Sequence, residues 1–149
     1  MQTQYIISSP QAMIDLGQQL VSQWFHQFGI IWELWAGKTH LVKGVALGIG
    51  LEQDQVHSPT YVYFHEYTSP IVWDDTWTKQ LYHLLHVDMY RMNDRFLIIR
   101  SGLQEKLEEY YYQCIERPKM DRFESKEITM IHIEIIDDTT RKVIVDDRW

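Results

Sequence analysis

Residues 32–40 read WELWAGKTH, and this stretch decides how the chain is interpreted. Its second half, AGKT at 36–39, matches the end of a phosphate-binding loop, where backbone N–H groups and a lysine hold phosphates at the start of a helix. Its first half departs from such a loop, because tryptophans stand at 32 and 35 where glycines are expected. The motif alone therefore permits three interpretations: a nucleotide site, the remains of one, or a chance match.

The segments on either side give the motif its context. The apolar run at 29–35 predicts a short buried strand. Lys38 to Leu47 has apolar residues at helical spacing and is followed by Gly48 and Gly50, which predicts a helix that ends there. Strand, tight turn and helix is the order of elements that a phosphate loop requires.

The rest of the chain alternates predicted helices and strands. Ser9 and Pro10 predict a helix start, and helical spacing covers 10–25 and 94–109, the latter interrupted at Gly102. Strands are predicted at 60–67, 81–87 and 110–116, a loop at 68–79, and a terminal hairpin from 128–136 and 142–145. This pattern predicts an α/β fold with a mixed central β-sheet flanked by helices and a C-terminal β-hairpin.

Composition limits the possible classes of function. At 149 residues, with 45% hydrophobic and 23% charged residues, the chain predicts a single domain over 1–149. A net charge of −7 opposes a large nucleic-acid footprint, so any RNA is expected to be held by a partner and contacted only indirectly. Residues 1–11 have neither the basic start nor the long apolar stretch of a secretory signal, and no apolar run approaches about 18 residues, so neither a signal nor a membrane span is expected. With Cys114 as its single cysteine, the chain is expected in the cytoplasm, away from membranes.

Two carboxylates strengthen the phosphate-loop interpretation. Asp88 and Glu116 each end a predicted strand, and ligands of α/β sheets collect at the carboxyl ends of strands. Carboxylates in that position complete the metal shell of phosphate-loop enzymes. The alternative is structural: Lys38 would be a solvated helix residue and both carboxylates would belong to turns.

Five segments, in order, resemble one family. They are LGQQL at 16–20, AGKT at 36–39 with VKG at 42–44, SPTY at 58–61 with EY at 66–67, HVDMYRM at 86–92, and GL at 102–103 followed by IE at 115–116. Together they resemble the TsaE (YjeE) family, small P-loop ATPases of threonylcarbamoyladenosine synthesis on tRNA. The resemblance implies a P-loop NTPase-like domain that binds ATP and Mg²⁺. It also implies ATP hydrolysis dependent on TsaB and TsaD partners, without the chain itself being the transferase.

The resemblance also implies roles for residues. Nucleotide binding would fall to Trp35, Ala36, Gly37, Lys38, Thr39 and His40, and magnesium binding to Thr39 and Glu116. Lys38 and Asp88 would be catalytic, and Ser58, Pro59 and Thr60 would form a switch-like loop.

The family loop is usually GDLGAGKT, and this chain can be aligned with it in two ways. Without gaps, Trp32 and Trp35 replace glycines; alternatively the strand continues to Trp35 and about four loop residues are deleted. Either change is expected to weaken ATP binding or turnover. Arg117 replaces the family's tryptophan and could stack or contact phosphate. We expect a nucleotide-binding protein with weak or partner-dependent ATPase activity.

Other functions are also consistent with the sequence. A nucleotide-free or non-hydrolysing interaction protein on the same fold would have tryptophans filling the phosphate space. A small-molecule kinase is disfavoured, because no lid or acceptor pocket is evident. His83 and His86 lie three apart on a predicted strand and so face opposite sides, which disfavours a zinc site. Cys114 is expected to pack as a small apolar residue.

Overall fold

The structure is a computed structural model that describes residues 1–59, 62–70, 72–73, 75–92, 95–119 and 128–147. Its helices are α1 (Pro10–Ser22), α2 (Lys38–Gly48), α3 (Arg95–Arg100) and α4 (Leu103–Glu109). Its strands are β1 (Gln2–Ile7), β2 (Gln27–Trp32), β3 (Phe64–Thr68), β4 (Val72–Trp73), β5 (Lys79–Gln80), β6 (His83–Asp88), β7 (Tyr112–Glu116), β8 (Thr129–Ile135) and β9 (Arg141–Asp146). No helix within these ranges is long and apolar enough to cross a membrane.

The main sheet is mixed and has the strand order β1-β9-β8-β2-β7-β6-β3. Strands β8, β2, β7 and β6 run parallel at its centre. The outer pairs β1/β9, β8/β9 and β3/β6 are antiparallel. The predicted mixed sheet and C-terminal hairpin are both confirmed. The parallel centre brings the carboxyl ends of β2, β7 and β6 to one edge, which is where such sheets bind ligands.

Helices cover both faces of the sheet. Leu84 packs in the core that contains α1 and α2, whereas the next residue, Leu85, packs in the core that contains α3 and α4. Successive side chains of a strand point to opposite faces, so these cores are separate layers. In β6 and β7, Asp88 and Glu116 lie an even number of residues from Leu84 and Cys114 and so share their face of the sheet, on the α1/α2 side.

Helices α1 and α2 touch backbone to backbone. A Cβ added at Gly17 would lie 2.4 Å from the Leu41 carbonyl oxygen, and one added at Gly44 would lie 2.0 Å from the Ile14 carbonyl oxygen. Both distances are shorter than any real carbon–oxygen contact, so the crossing requires glycine at both positions. This close packing fixes α2, whose first residue is Lys38.

Several element boundaries differ from prediction. Helix α1 begins after the N-cap Ser9, as predicted, but ends at Ser22 because the chain reverses at Trp24, which has φ +71°. Strand β1 was not predicted, since its alternation is carried by polar residues at a sheet edge. The short ribbon β4/β5 occupies part of the predicted loop at 68–79 and extends one residue past it, to Gln80.

Candidate active site

The two predicted catalytic residues, Lys38 and Asp88, and the predicted magnesium ligand Glu116 lie at one edge of the sheet. In the register of β6 and β7, Asp88 stands opposite Glu116. Lys38 begins α2 and reaches Glu116, with 2.8 Å between its Nζ and Glu116 Oε2. Residues 78 positions apart in sequence thus form one charged cluster, which the fold creates by aligning the carboxyl ends of parallel strands.

Glu116 is held on both of its carboxylate oxygens. Lys38 contacts Oε2, and His86 Nε2 lies 2.7 Å from Oε1. The side chains of Glu116 and His86 are both fully buried. Burying a carboxylate is unfavourable unless it is paired and hydrogen-bonded, and these two contacts meet that requirement. His86 was not assigned a role from sequence, although its spacing of two from Asp88 places it on the same face of β6.

Asp88 is also almost completely buried and is held from two directions. Arg117 Nη2 lies 2.8 Å from Oδ2, and the backbone N–H of Tyr90 donates to Oδ1 over 2.9 Å. The second contact is local and links the Asp88 carboxylate to the turn immediately after β6.

Aromatic rings cover the two cations of the site. Lys38 Nζ lies 4.5 Å from the centre of the Trp32 ring, and the guanidinium carbon of Arg117 lies 4.8 Å from it. The same guanidinium lies 4.1 Å from the Tyr90 ring. Contacts of this kind are attractive because the ring face carries negative charge. Trp32, which replaces a family glycine, therefore packs against the positive charges of the site.

The loop between β2 and α2 has its full length. Strand β2 ends at Trp32, and the five residues 33–37 lead to Lys38. The ungapped alignment therefore agrees with the structure, and the alternative, with a strand continuing to Trp35 and a shortened loop, is wrong. The reason is pairing: β2 follows β8 up to Trp32, and beyond it the Glu33 carboxylate accepts the N–H of Ile135 instead.

A tight turn replaces the usual glycine-rich curve. The Ala36 N–H donates to the Glu33 carbonyl over 3.1 Å. Trp35, third residue of this turn, has φ +66°, a conformation that favours glycine. Its side chain is 85% exposed, so it points into solvent and does not fill the space beside Lys38. Gly37 also has a positive φ, +94°, and is the N-cap of α2.

Thr39 and His40 follow Lys38 in the first turn of α2 and are half-buried. The His40 N–H donates to the Gly37 carbonyl over 3.1 Å. Within the described ranges, no cluster of three or more His, Cys, Asp or Glu side chains could hold a metal ion. The assignment of Thr39 and Glu116 to magnesium stays a prediction.

The predicted switch-like segment is anchored to β3. The Tyr67 hydroxyl contacts both the N–H and the carbonyl of His57, at 3.0 and 3.1 Å. His65 Nε2 lies 3.4 Å from the Ser58 carbonyl oxygen, and burial lowers the pKa of His65. Pro59 is buried, whereas Thr60 lies outside the described residues. Because β3 pairs with β6, with His65 opposite His86, this segment is connected to the strand that ends at Asp88.

Three further side chains, one cysteine and two histidines, behave as the sequence predicts. Cys114 is fully buried, and burial raises the pKa of its thiol well above the ordinary range. It therefore stays protonated and packs as an apolar residue. His83 is exposed and lies 3.0 Å from the Thr68 hydroxyl, while His86 is buried. The two histidines do face opposite sides of β6.

Known proteins share the sequence pattern and the fold of this chain. The sequence matches the family described as "Threonylcarbamoyl adenosine biosynthesis protein TsaE" over residues 7–143. Among solved structures, the chain is similar to Bacillus subtilis YdiB, with 20% identity, a TM-score of 0.66 and coverage of 97% of this chain and 84% of YdiB. At that identity the likeness shows a shared fold. The curated protein sequences give no significant match. The extent of the family match establishes that this chain belongs to the TsaE family of threonylcarbamoyladenosine biosynthesis, a family of the P-loop ATPase type.

Proposed function

We propose that the chain binds ATP with Mg²⁺ at the edge formed by α2, β6 and β7. In this proposal it also hydrolyses ATP when it is engaged with TsaB and TsaD partners during modification of tRNA. The observation that carries the proposal is the meeting of Lys38, at the start of α2, with Asp88 and Glu116, at the ends of adjacent parallel strands. A lysine at the start of a helix binds phosphate in phosphate-loop enzymes, and carboxylates at the ends of neighbouring strands complete the metal shell.

The side chains at this edge fit a nucleotide and a hard cation. Lys38 and the N-terminus of α2 offer positive charge to phosphates. The carboxylates of Asp88 and Glu116, with the hydroxyl of Thr39, are oxygen ligands of the kind that Mg²⁺ prefers. When bound, Mg²⁺ would neutralise phosphate charge.

The two ion pairs of the site would have to exchange partners when a nucleotide binds. Lys38 contacts Glu116, and Arg117 contacts Asp88. We expect Lys38 to leave Glu116 for phosphate, which releases the carboxylate for the metal. Asp88 would then orient the attacking water or the metal. This exchange should make ATP and Mg²⁺ bind more tightly together than either does alone.

Dependence on partner proteins is supported by the loop and by the charge of the chain. The Ala36 N–H is held within the turn by Glu33, so one backbone donor must be freed before it can face phosphate. We infer that the chain alone turns over slowly and that TsaB and TsaD favour the rearranged loop. Its net charge of −7 is consistent with work through protein contacts, with tRNA held by the partners.

Calorimetry with ATP, with and without Mg²⁺, tests the proposal. Wild type should bind, and Lys38→Ala should bind at least tenfold more weakly, a loss of about 1.4 kcal/mol. Lys142→Ala is the matched control, because it removes a lysine whose partner, Glu134, lies on the β8/β9 hairpin. Hydrolysis should then rise on addition of TsaB and TsaD.

A non-hydrolysing interaction protein is the second candidate, and one observation favours it. Trp32 packs over both Lys38 and Arg117, and so covers the charges that phosphate would need. Absence of ATP binding by wild type would support this candidate and exclude the first. Binding that Lys38→Ala abolishes would exclude a nucleotide-free protein, and stimulated hydrolysis would exclude a non-hydrolysing one.

A further inference from the structure

We propose that Arg117 is a second phosphate-binding cation of this site and acts beside Lys38. The inference rests on the proposed nucleotide function and adds to it a residue that departs from the family pattern. Arginine suits this task because its planar guanidinium carries five N–H donors and binds phosphate oxygens in pairs.

The backbone holds Arg117 at the phosphate edge. It follows Glu116 directly at the end of β7, and its N–H donates to the Ile30 carbonyl over 2.9 Å. Ile30 belongs to β2, the strand that leads into the loop at 33–37. Arg117 has φ +52°, an unfavourable conformation for a residue with a Cβ. Strain of this kind persists where the surroundings impose it, and such positions cluster at functional sites.

The Arg117 side chain is held in place by two aromatic rings but remains accessible to solvent. Tyr90 and Trp32 hold the guanidinium at 4.1 and 4.8 Å, while the Arg117 side chain remains 37% exposed. Its Nη2 contacts Asp88, but its buried Nε finds no hydrogen-bond partner in the described part of the chain. A buried donor without a partner is unfavourable, and a phosphate oxygen would satisfy it once the guanidinium turns away from Asp88.

The alternative is a purely structural role, in which Arg117 only neutralises the charge of Asp88. Two features argue for more. The Tyr90 N–H already satisfies Asp88 Oδ1, and the pair repeats the arrangement of Lys38 with Glu116 under the same tryptophan ring. Two cations, each held by a carboxylate, would exchange to phosphate together and release both carboxylates. The second cation would also compensate for the backbone donor that the turn at Ala36 removes.

ATP binding without Mg²⁺ distinguishes the two roles. Arg117→Met should weaken ATP binding at least tenfold. The affinity of Arg117→Lys should lie between those of Arg117→Met and wild type, because lysine keeps the charge but not the paired donors. The same comparison is then made in an Asp88→Asn background. If Arg117 contacts phosphate, Arg117→Met should still weaken ATP binding at least tenfold in the Asp88→Asn background. If Arg117 only neutralises Asp88, the double variant should bind within about threefold of Asp88→Asn alone, and the inference is overturned.

Controls separate the failure of this inference from that of the proposed function. If wild type binds, Lys38→Ala is weakened and Arg117→Met is unchanged, Arg117 has no phosphate role and the nucleotide function stands. If wild type does not bind ATP, the proposed nucleotide function and the phosphate role of Arg117 are both refuted. Circular dichroism checks folding, and should Arg117→Met fail to fold, Arg117→Lys decides: affinity equal to wild type overturns the inference, and a loss of several fold supports it.

Discussion

Replacing Lys38 with methionine should destabilise the protein even without nucleotide. Glu116 is fully buried, with Lys38 Nζ at 2.8 Å. Removing one partner of a buried ion pair costs about 3 to 5 kcal/mol, because the other charge stays buried. Here His86 still contacts Glu116, and the lysine side chain is 17% exposed, so water can reach the vacated oxygen. We therefore expect a smaller loss, about 2 kcal/mol.

For a chain of 149 residues, that loss lowers the midpoint of thermal unfolding by roughly 4 to 8 °C. Urea unfolding followed by circular dichroism gives the free energy, provided that the slope with denaturant is unchanged. Methionine is chosen because it keeps an unbranched apolar stem beside Trp32. Lys142→Met, which breaks an exposed pair with Glu134, is the matched control and should cost less than about 1 kcal/mol.

A double-mutant cycle with Glu116→Gln isolates the pair. With both charges removed, no unpaired carboxylate remains, so the double variant should be more stable than the summed single losses imply, by about 1 kcal/mol or more. Single losses that add within about 0.5 kcal/mol, or a Lys38→Met variant as stable as wild type, would refute the reasoning. Glu116 would then not depend on Lys38 for its burial.

Three further predictions concern packing, pH and reactivity. Gly44→Ala should lower the free energy of unfolding by about 2 kcal/mol, because overpacking costs about 3 kcal/mol and the gain in helix propensity returns about 1 kcal/mol. At Gly50 an added Cβ would meet nothing within 4 Å, but φ is +84°. Gly50→Ala should therefore lower the free energy of unfolding by only about 1 to 2 kcal/mol. Hydrogen bonds from Lys106 and then Tyr110 lower the pKa of Glu66 from 4.5, so Glu66→Gln should cost less than about 1 kcal/mol above pH 4.5, and urea titrations should show this difference vanish as the pH falls through the lowered pKa. Because burial raises the pKa of the Cys114 thiol, a thiol reagent at pH 8 should label it only as fast as the protein unfolds, and rapid labelling of the native protein would contradict its burial.

Short-range patterns predicted the elements of the site. Short runs of apolar and aromatic residues predicted β6 and β7, helical spacing predicted α2, and strand ends predicted that Asp88 and Glu116 would lie where ligands of α/β sheets collect. The ion pair between Lys38 and Glu116 could not be predicted, because it depends on how residues 78 positions apart pack. The family resemblance supplied roles for both residues but no pairing between them.

The positions of the residues that depart from the family pattern could not be predicted from the sequence. The sequence could show that Trp32 and Trp35 replace glycines but not where their rings lie. One packs on the cations and the other is exposed, a difference decided by a single positive φ at Trp35. For the same reason the position of Arg117 between two rings was not predictable, since it depends on its own left-handed backbone conformation.

The glycine crossing of α1 and α2 has a dynamic consequence. At Gly17 and Gly44 there is no side-chain layer that could deform, so neither helix can slide past the other without separating. We expect the two helices to open together as one cooperative unit in hydrogen exchange, and the 33–37 and 57–59 segments to exchange independently and faster. Conformational adjustment to a ligand would then be confined to these loops, while the helix that carries Lys38 stays fixed on the sheet.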